Sequence, residues 1–487
     1  MKAIMMMFDS LNRNLLSPYG CTWTKTPNFQ RLAEKAVVFE NSFAGSLPCM
    51  PARREIHTGR YNFLHRSWGP IEPFDDSMPE ILRGKGIYTH LISDHQHYWE
   101  DGGATYHHRY NTWEIVRGHE GDRWKGQVRD PEIPEHLGQL WRQDVINRTY
   151  MTKEEDQPQA NVFRLGLEFL EKNKAEDNWF LHLETFDPHE PFYTMQKYKD
   201  LYPHEYKGPH FDWPPYSKVT EGKDAIEHVR YEYAALLSMC DTWLGKLLDF
   251  MDQNDMWKDT FLIINTDHGF FLGEHECWAK CTHPFYNEIV HIPFFIWDPR
   301  SKISSQRRKS LVQTIDIAPT LLDYFGVPVP PDMQGKPLKT VIESDTPVRE
   351  GGLFGLHGAQ INVTDGRYVY MRAPAAGNKP LYEYTHMPAH MRSLFSPKEM
   401  TTMTIAPPFS FTKTAPVMRI EAIPGFQTVS NSALFETKLF DVQKDPAQEN
   451  PLDDKDIEER MIRLMVKLMK ENDCPPEQFE RMGFEGS

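Results

Sequence analysis

From Lys2 to Phe8 the chain is apolar at every position after the lysine, with no alternation, and Asp9 ends the run. A short run without a polar face is what a strand covered on both sides requires. Three further short runs rich in β-branched or aromatic residues, though interrupted by polar ones, also read as strands: Tyr88 to Ser93 after the turn Gly84-Lys85-Gly86, Trp179 to Phe186, and Phe261 to Thr266. Between them apolar residues recur at helical spacing. The clearest stretch is Ala225 to Met251, where Val229, Tyr233, Leu236, Leu237, Leu244, Leu247 and Leu248 recur at that spacing. Strands alternating with helices over 1–345 predict an α/β fold, a large mixed and mostly parallel sheet flanked by helices. From about residue 346 the runs shorten and alternate, as in Tyr368-Val369-Tyr370-Met371 and Lys438-Leu439-Phe440-Asp441, with a Pro- and Met-rich stretch between them. Asp454 to about Asn472 carries Ile457, Met461, Ile462, Leu464, Met465 and Leu468 in amphipathic register. Residues 346–487 are therefore expected to form a smaller C-terminal α+β unit, an antiparallel sheet closed by a helix.

Ionisable side chains follow each long strand: Asp9; Asp94, His95 and His97; Asp187 and His189; Asp267 and His268. Parallel strands share one carboxyl edge, and ligands bind in the crevice outside it, so four distant segments are expected to meet at one site. Asp and His after a strand also begin turns and cap helices, an explanation that suits one cluster better than four. A fifth segment runs from Ser46 through Cys49, Pro51, Arg53, Arg54 and Thr58 to Gly59-Arg60. Pro51 suits the first turn of a helix and Gly59 its end, which puts Cys49 at or just before the helix N-terminus. Anions are favoured there, and a cysteine so placed near arginines is a candidate nucleophile; a buried structural thiol is the plainer alternative.

Composition narrows the partners. The 54 Lys and Arg against 69 Asp and Glu leave a net charge of -15, which argues against nucleic acid and against anionic membrane surfaces. No run approaches the length of a membrane span, the opening apolar run is too short for a secretory leader, and the six cysteines are scattered. A soluble protein of a reducing, cytoplasmic compartment is expected.

Cys49-Met50-Pro51-Ala52-Arg53 followed by Thr58-Gly59-Arg60 resembles the signature of the sulfatases of the alkaline phosphatase superfamily, whose cysteine is converted to formylglycine (3-oxoalanine). Other segments agree in order. Asp187-Pro188-His189-Glu190-Pro191-Phe192 resembles the family's Pro-His-x-Pro segment. Thr266-Asp267-His268-Gly269 with Leu272-Gly273-Glu274-His275 and Trp278-x-Lys280 resembles its second metal and anion segment, and Ile292-Pro293-Phe294, Asp316 to Leu321 and Leu439-Phe440-Asp441 resemble later landmarks. The resemblance implies a sulfuric ester hydrolase acting on a small-molecule or saccharide sulfate, matured by a formylglycine-generating enzyme. It implies a hydrated aldehyde at position 49 as nucleophile, attacking through one hydroxyl and expelling the bound anion through the second. Asp9, Asp267, His268 and residue 49 would hold a divalent cation. Arg53 would hold the nucleophile, Lys280 an oxygen of the anion, and His189 the anion or the leaving oxygen, assisted by His95, with His97 and His275 also toward the anion.

Two departures from the family pattern matter. Asp9-Ser10 and Asp267-His268 stand where paired aspartates and Asp-Asn are usual, an exchange of one charge for an imidazole that shifts preference from Ca2+ toward Mn2+, iron or zinc. The Gly-Lys-Trp-His block is absent, and Ser93-Asp94-His95-Gln96-His97 takes its place. Losing that lysine favours an alternative substrate of lower charge, a phosphonate monoester or phosphodiester; a non-catalytic anion-binding protein is the remaining reading. His275, Cys277, Cys281 and His283 form a dense run of metal-competent side chains, but their spacing fits no standard Cys/His zinc pattern. His57 reads as a structural residue of its helix. Trp99, Tyr106, Tyr110, Trp113, Trp124, Trp141 and Trp213 lie in insertion-like segments; packing explains most aromatics, and stacking on sugar rings is the functional alternative.

Overall fold

The computed structural model describes residues 1–423 and 434–484. Residues 424–433 of the Pro- and Met-rich stretch lie outside the described residues. An eight-stranded sheet organises the chain. From edge to edge its strands are Gln306–Arg308, Val37–Phe39, Phe295–Trp297, Thr260–Thr266, Lys2–Phe8, Trp179–Thr185, Tyr88–Ser93 and Thr112–Ile115. Only Phe295–Trp297 runs against its neighbours. The strand that opens the sequence is thus central, paired in parallel on both sides.

That position explains its composition. Ile4, Met6 and Phe8 point to one layer, where they join Leu236, Leu237, Leu244 and Leu247 of the helix Lys223–Gln253 and residues of Pro27–Lys35 and Pro158–Asn173. Ala3, Met5 and Met7 point to the other, against Met50 and Ile56 of Cys49–Thr58, Leu82 of Met78–Gly84 and Leu321 of Ile317–Tyr324. Both faces are dry, so period-two alternation has no reason to appear.

Register then levels the strand ends. Phe8 sits beside Thr185 and Thr266, and Ser93 beside Glu184. Asp9, Phe186, Asp267 and Asp94 consequently leave the sheet at one edge, and the Asp9 amide donates to the Thr185 carbonyl at 3.0 Å.

The later part of the chain builds a four-stranded antiparallel sheet in the order Gly352–Gly355, Ile361–Thr364, Tyr368–Arg372, Lys438–Asp441. Met461, Met465, Leu468 and Met469 of the helix Lys455–Glu471 cover one face; the Asp454 side chain caps that helix on the Ile457 amide at 3.1 Å. A second small sheet, Tyr382–Thr385, Val417–Glu421 and Thr404–Ala406, was not expected from the sequence. The larger of the two touches the main body where Leu47 and Gly45 exchange backbone hydrogen bonds with Gly355. Among the described residues, no helix is long and apolar enough to cross a membrane.

Candidate active site

Cys49 opens the helix Cys49–Thr58, which Gly59 ends in a left-handed conformation (φ 58). The loop before it is pinned from inside. Glu55, on the same helix, accepts from the Ser46 amide at 2.6 Å and from Thr314 Oγ1. A Cβ on Gly45 would come within 2.3 Å of the Glu55 carboxylate, so glycine is needed for this approach. Arg53 lies one helical turn after Cys49 and donates to its carbonyl at 2.9 Å. The same guanidinium donates to Asp9 Oδ2 and Asp267 Oδ2, each at 2.9 Å, and to Glu184 Oε1. All three carboxylates are fully buried, and the guanidinium they share offsets part of the cost of their charge.

Asp9, Cys49, Asp267 and His268 offer one ligand atom each within 4.8 Å of one another. Asp267 Oδ1 accepts from the amides of His268 at 2.8 Å and Ser10 at 3.1 Å. His268 commits Nδ1 to the Gly269 carbonyl at 2.9 Å, so Nε2 is left toward Cys49 Sγ at 3.3 Å and Asp267 Oδ2 at 3.4 Å. Burial and then Asp9 push the Asp267 carboxyl up. Burial works the same way on Asp9, but Lys280 and Arg53 outweigh it and hold Asp9 well below the usual carboxylate range. Burial, reinforced by Asp9, raises the Cys49 thiol well above its ordinary value. Ser10, at φ 59, ties the pieces together: its hydroxyl donates to Asp9 Oδ1 and accepts from Lys280 Nζ, both at 2.7 Å.

The sulfatase family model matches residues 3–327. That is more than half of the chain. The chain belongs to the sulfatase family. It is 22% identical over 398 residues to an arylsulfatase of Clostridium perfringens, covering 73% of this chain and 81% of that protein. In fold it is similar to BT4656 in complex with D-glucosamine-2-N,6-O-disulfate, with a TM-score of 0.67 at 16% identity over 98% of this chain and 99% of the other. The phosphonate monoester hydrolase of Agrobacterium radiobacter has the same fold, with a TM-score of 0.65 at 17% identity over 96% and 95%.

The donor set of this sulfatase-family hydrolase fits a divalent cation. Two buried carboxylates raise each other's energy, and one imidazole presents a lone pair to the same point, a charge arrangement that a cation satisfies. Beside it lies a cavity of about 200 Å³ lined by Cys49, His189, Lys280, His97, Trp68, Tyr216, Cys281, Glu120, Gln139, Trp141 and Arg392. His189 engages the Glu190 carbonyl through Nδ1, leaving Nε2 to exchange a proton. His95 stands 3.9 Å from Asp9 Oδ2. His97 is held between Glu100 at 2.7 Å and Arg392 at 3.2 Å.

Other expected groups are placed elsewhere. His275 stacks on Tyr286 at 3.8 Å and, with Cys277 and His283, lines a separate cavity of about 150 Å³. It is not in the cavity over Cys49, because the left-handed turn at His275 and Glu276 carries the chain away before Trp278 and Lys280 return. Cys281 faces the Cys49 cavity instead, and among the described residues no second group of metal-competent side chains converges. Asp94 and Asp187 support the loop rather than the cavity. Asp94 accepts from the Phe186 amide at 2.6 Å; Asp187 accepts from His119 at 2.8 Å and Gln159 at 3.2 Å. Burial opposes charge on His119, yet Asp187 prevails and its pKa is pushed up to about 9. His57 is structural, bonded to Ser77 at 2.9 Å between Tyr106 and Tyr110. Of the seven aromatics singled out, only Trp141 reaches the cavity.

Glu184, Ser10, Glu120 and Arg392 were not foreseen. For Glu184 a signal existed: a carboxylate inside the predicted buried strand Trp179–Thr185 demands a buried partner.

Proposed function

We propose that this hydrolase cleaves a sulfate monoester, using a formylglycine made from Cys49 by a maturing enzyme. The observation that carries the reading is the meeting of Asp9, Cys49, Asp267 and His268 within 4.8 Å at a helix N-terminus whose next turn supplies Arg53. When bound, a divalent cation held by Asp9, Asp267, His268 and residue 49 would supply Lewis acidity, and the hydrated aldehyde would supply the nucleophile. The chain's own side chains do the rest. Arg53 spends four hydrogen bonds on Glu184, Asp9, Asp267 and the Cys49 carbonyl, so it fixes the site and balances its charge. Lys280, 3.6 Å from Asp9 and 3.7 Å from Glu190, is the ammonium available to a sulfate oxygen in the cavity. His189, with Nε2 uncommitted, is placed to deliver a proton to the departing oxygen.

Two measurements test this. Incubation with a chelator should abolish hydrolysis of an aryl sulfate, and Mn2+ or Ca2+ should restore it; full activity in chelator overturns the cation's part. His189→Ala should cost alkyl sulfates at least about tenfold more than 4-nitrophenyl sulfate, whose leaving group needs no proton. Equal losses on both would remove His189 from that role.

A second reading keeps the nucleophile and takes a phosphonate monoester or phosphodiester. The observation that favours it is the cavity wall, where His97 faces the space and, among the described residues, Lys280 is the one lysine, with Arg392 the other cation. Parallel assays of an aryl sulfate and an aryl phosphonate decide; a preference for the phosphonate by two orders of magnitude or more selects the second.

A further inference from the structure

The cavity over Cys49 has two chemically different groups of side chains. Cys49, His189 and Lys280 serve the reaction; Glu120, Arg392, Gln139, Trp68 and Trp141 have no part in it and share the same space. We infer that Glu120 and Arg392 form the subsite for the leaving group, that they accept a neutral, hydroxyl-bearing ring such as one terminal sugar unit, and that this pair sets specificity. The inference rests on the sulfate monoester reading above.

Both residues are delivered by loops built to hold them. Glu120 has a left-handed backbone (φ 54), rare for a non-glycine residue and costly unless its surroundings impose it. Here they do. Asp122 pairs with Arg117 at 2.6 Å and caps the Gly118 amide at 2.9 Å, while His119 is tied to Asp187 at 2.8 Å. Gly121 lies so close under Trp141 that a Cβ would meet the indole at 2.4 Å. Gln96 donates to the Glu120 carboxylate, and the residue is only 6% exposed. A strained backbone, buried at a cavity wall and braced from three sides, fixes the direction of one carboxylate.

Arg392 arrives from the opposite side of the sequence. The Met391 amide donates to the Trp68 carbonyl at 3.2 Å, its carbonyl accepts from Gly102 at 2.9 Å, and a Cβ on Gly102 would strike the His390 carbonyl at 2.6 Å. The guanidinium is then steered by Glu100, 3.4 Å from Nε, and by His97, 3.2 Å from Nη2. Trp141 is 40% exposed and braced against Trp213 at 4.6 Å, so a rigid indole stands at this end of the cavity.

The chemistry selects the occupant. A carboxylate accepts from hydroxyls, a guanidinium donates to hydroxyl and ring oxygens, and an indole covers a C–H face. An anionic leaving group would gain from Arg392 but meet Glu120 on the same wall, which disfavours it. About 200 Å³ is small beside the pockets that bury drug-sized ligands, so one ring fits and a longer saccharide must extend outside. A site built to hydrogen-bond hydroxyls rejects substrates lacking them.

The test uses the matured, metal-loaded enzyme and its Glu120→Gln, Arg392→Ala and Arg392→Lys variants, assayed on 4-nitrophenyl sulfate and on a panel of monosaccharide O-sulfates. For the best monosaccharide sulfate, kcat/KM should fall at least about tenfold more than for the aryl sulfate in Glu120→Gln and Arg392→Ala, chiefly through KM. Arg392→Lys should recover part of the loss. Equal losses on the two substrates in Glu120→Gln, which preserves the shape of the side chain, would make the pair structural and overturn the inference. Wild-type turnover of the aryl sulfate without any monosaccharide sulfate would overturn it too, while leaving the sulfate ester reading intact. Turnover of neither overturns both.

Discussion

Cys49→Ala is expected to lower turnover of any sulfate ester by at least about four orders of magnitude while leaving the fold in place. The two halves of the expectation have different origins. The loss follows because every group around position 49 is arranged to serve what stands there: His268 Nε2 at 3.3 Å, the two aspartates, and Arg53 on its carbonyl. The fold survives because the Cys49 side chain is one small member of a large apolar layer, and its removal costs about 1 kcal/mol, as for other small truncations. Intact-peptide mass spectrometry of the wild type supplies the companion measurement. A peptide lighter by about 18 Da at residue 49, oxygen for sulfur with loss of two hydrogens, would establish the aldehyde. A Cys49→Ala variant retaining even a tenth of the activity would sink the proposed mechanism, whatever the mass.

Arg53→Ala should have the largest effect on stability. The variant leaves Asp9, Asp267 and Glu184 without the cation that all three share, each of them fully buried. Breaking one buried pair by removing a partner costs about 3–5 kcal/mol, and here one truncation breaks three, so the urea midpoint should drop by at least that equivalent. Arg53→Lys should recover only part, because one ammonium cannot reproduce a planar fork that reaches three carboxylates and a carbonyl. Stability within about 1 kcal/mol of wild type in Arg53→Ala would show that the carboxylates protonate or rearrange cheaply, contrary to this account.

The two variants separate what Cys49 and Arg53 do although they share one helix. In the proposed mechanism position 49 carries chemistry and little stability; Arg53, one turn later, carries the electrostatic frame of the site. Glu184 belongs with Arg53. It does not line the cavity, but Tyr98 donates to its second oxygen at 2.8 Å, so the carboxylate is held on both sides.

Much of this was legible in the chain of letters, for a definite reason. A run such as Lys2–Phe8 that is apolar at every position after its lysine has to be covered on both faces, and parallel strands end on a common edge, so Asp9, His95, His189, Asp267 and His268 could be placed together without knowing any distance. Pro51 and Gly59 bounded the helix that presents Cys49 and Arg53 for equally local reasons. What only the tertiary structure decided are the groups whose roles depend on how loops travel. Arg392 lies 295 positions from the His97 it contacts, and Glu120 owes its direction to a backbone strain that no periodicity records. His275 sits five residues before Lys280 yet faces another cavity, since one left-handed turn reverses the chain between them. Periodicity reports which side of an element is dry; which side chain meets which across a cavity is set by loop paths that the pattern of apolar and polar positions leaves open.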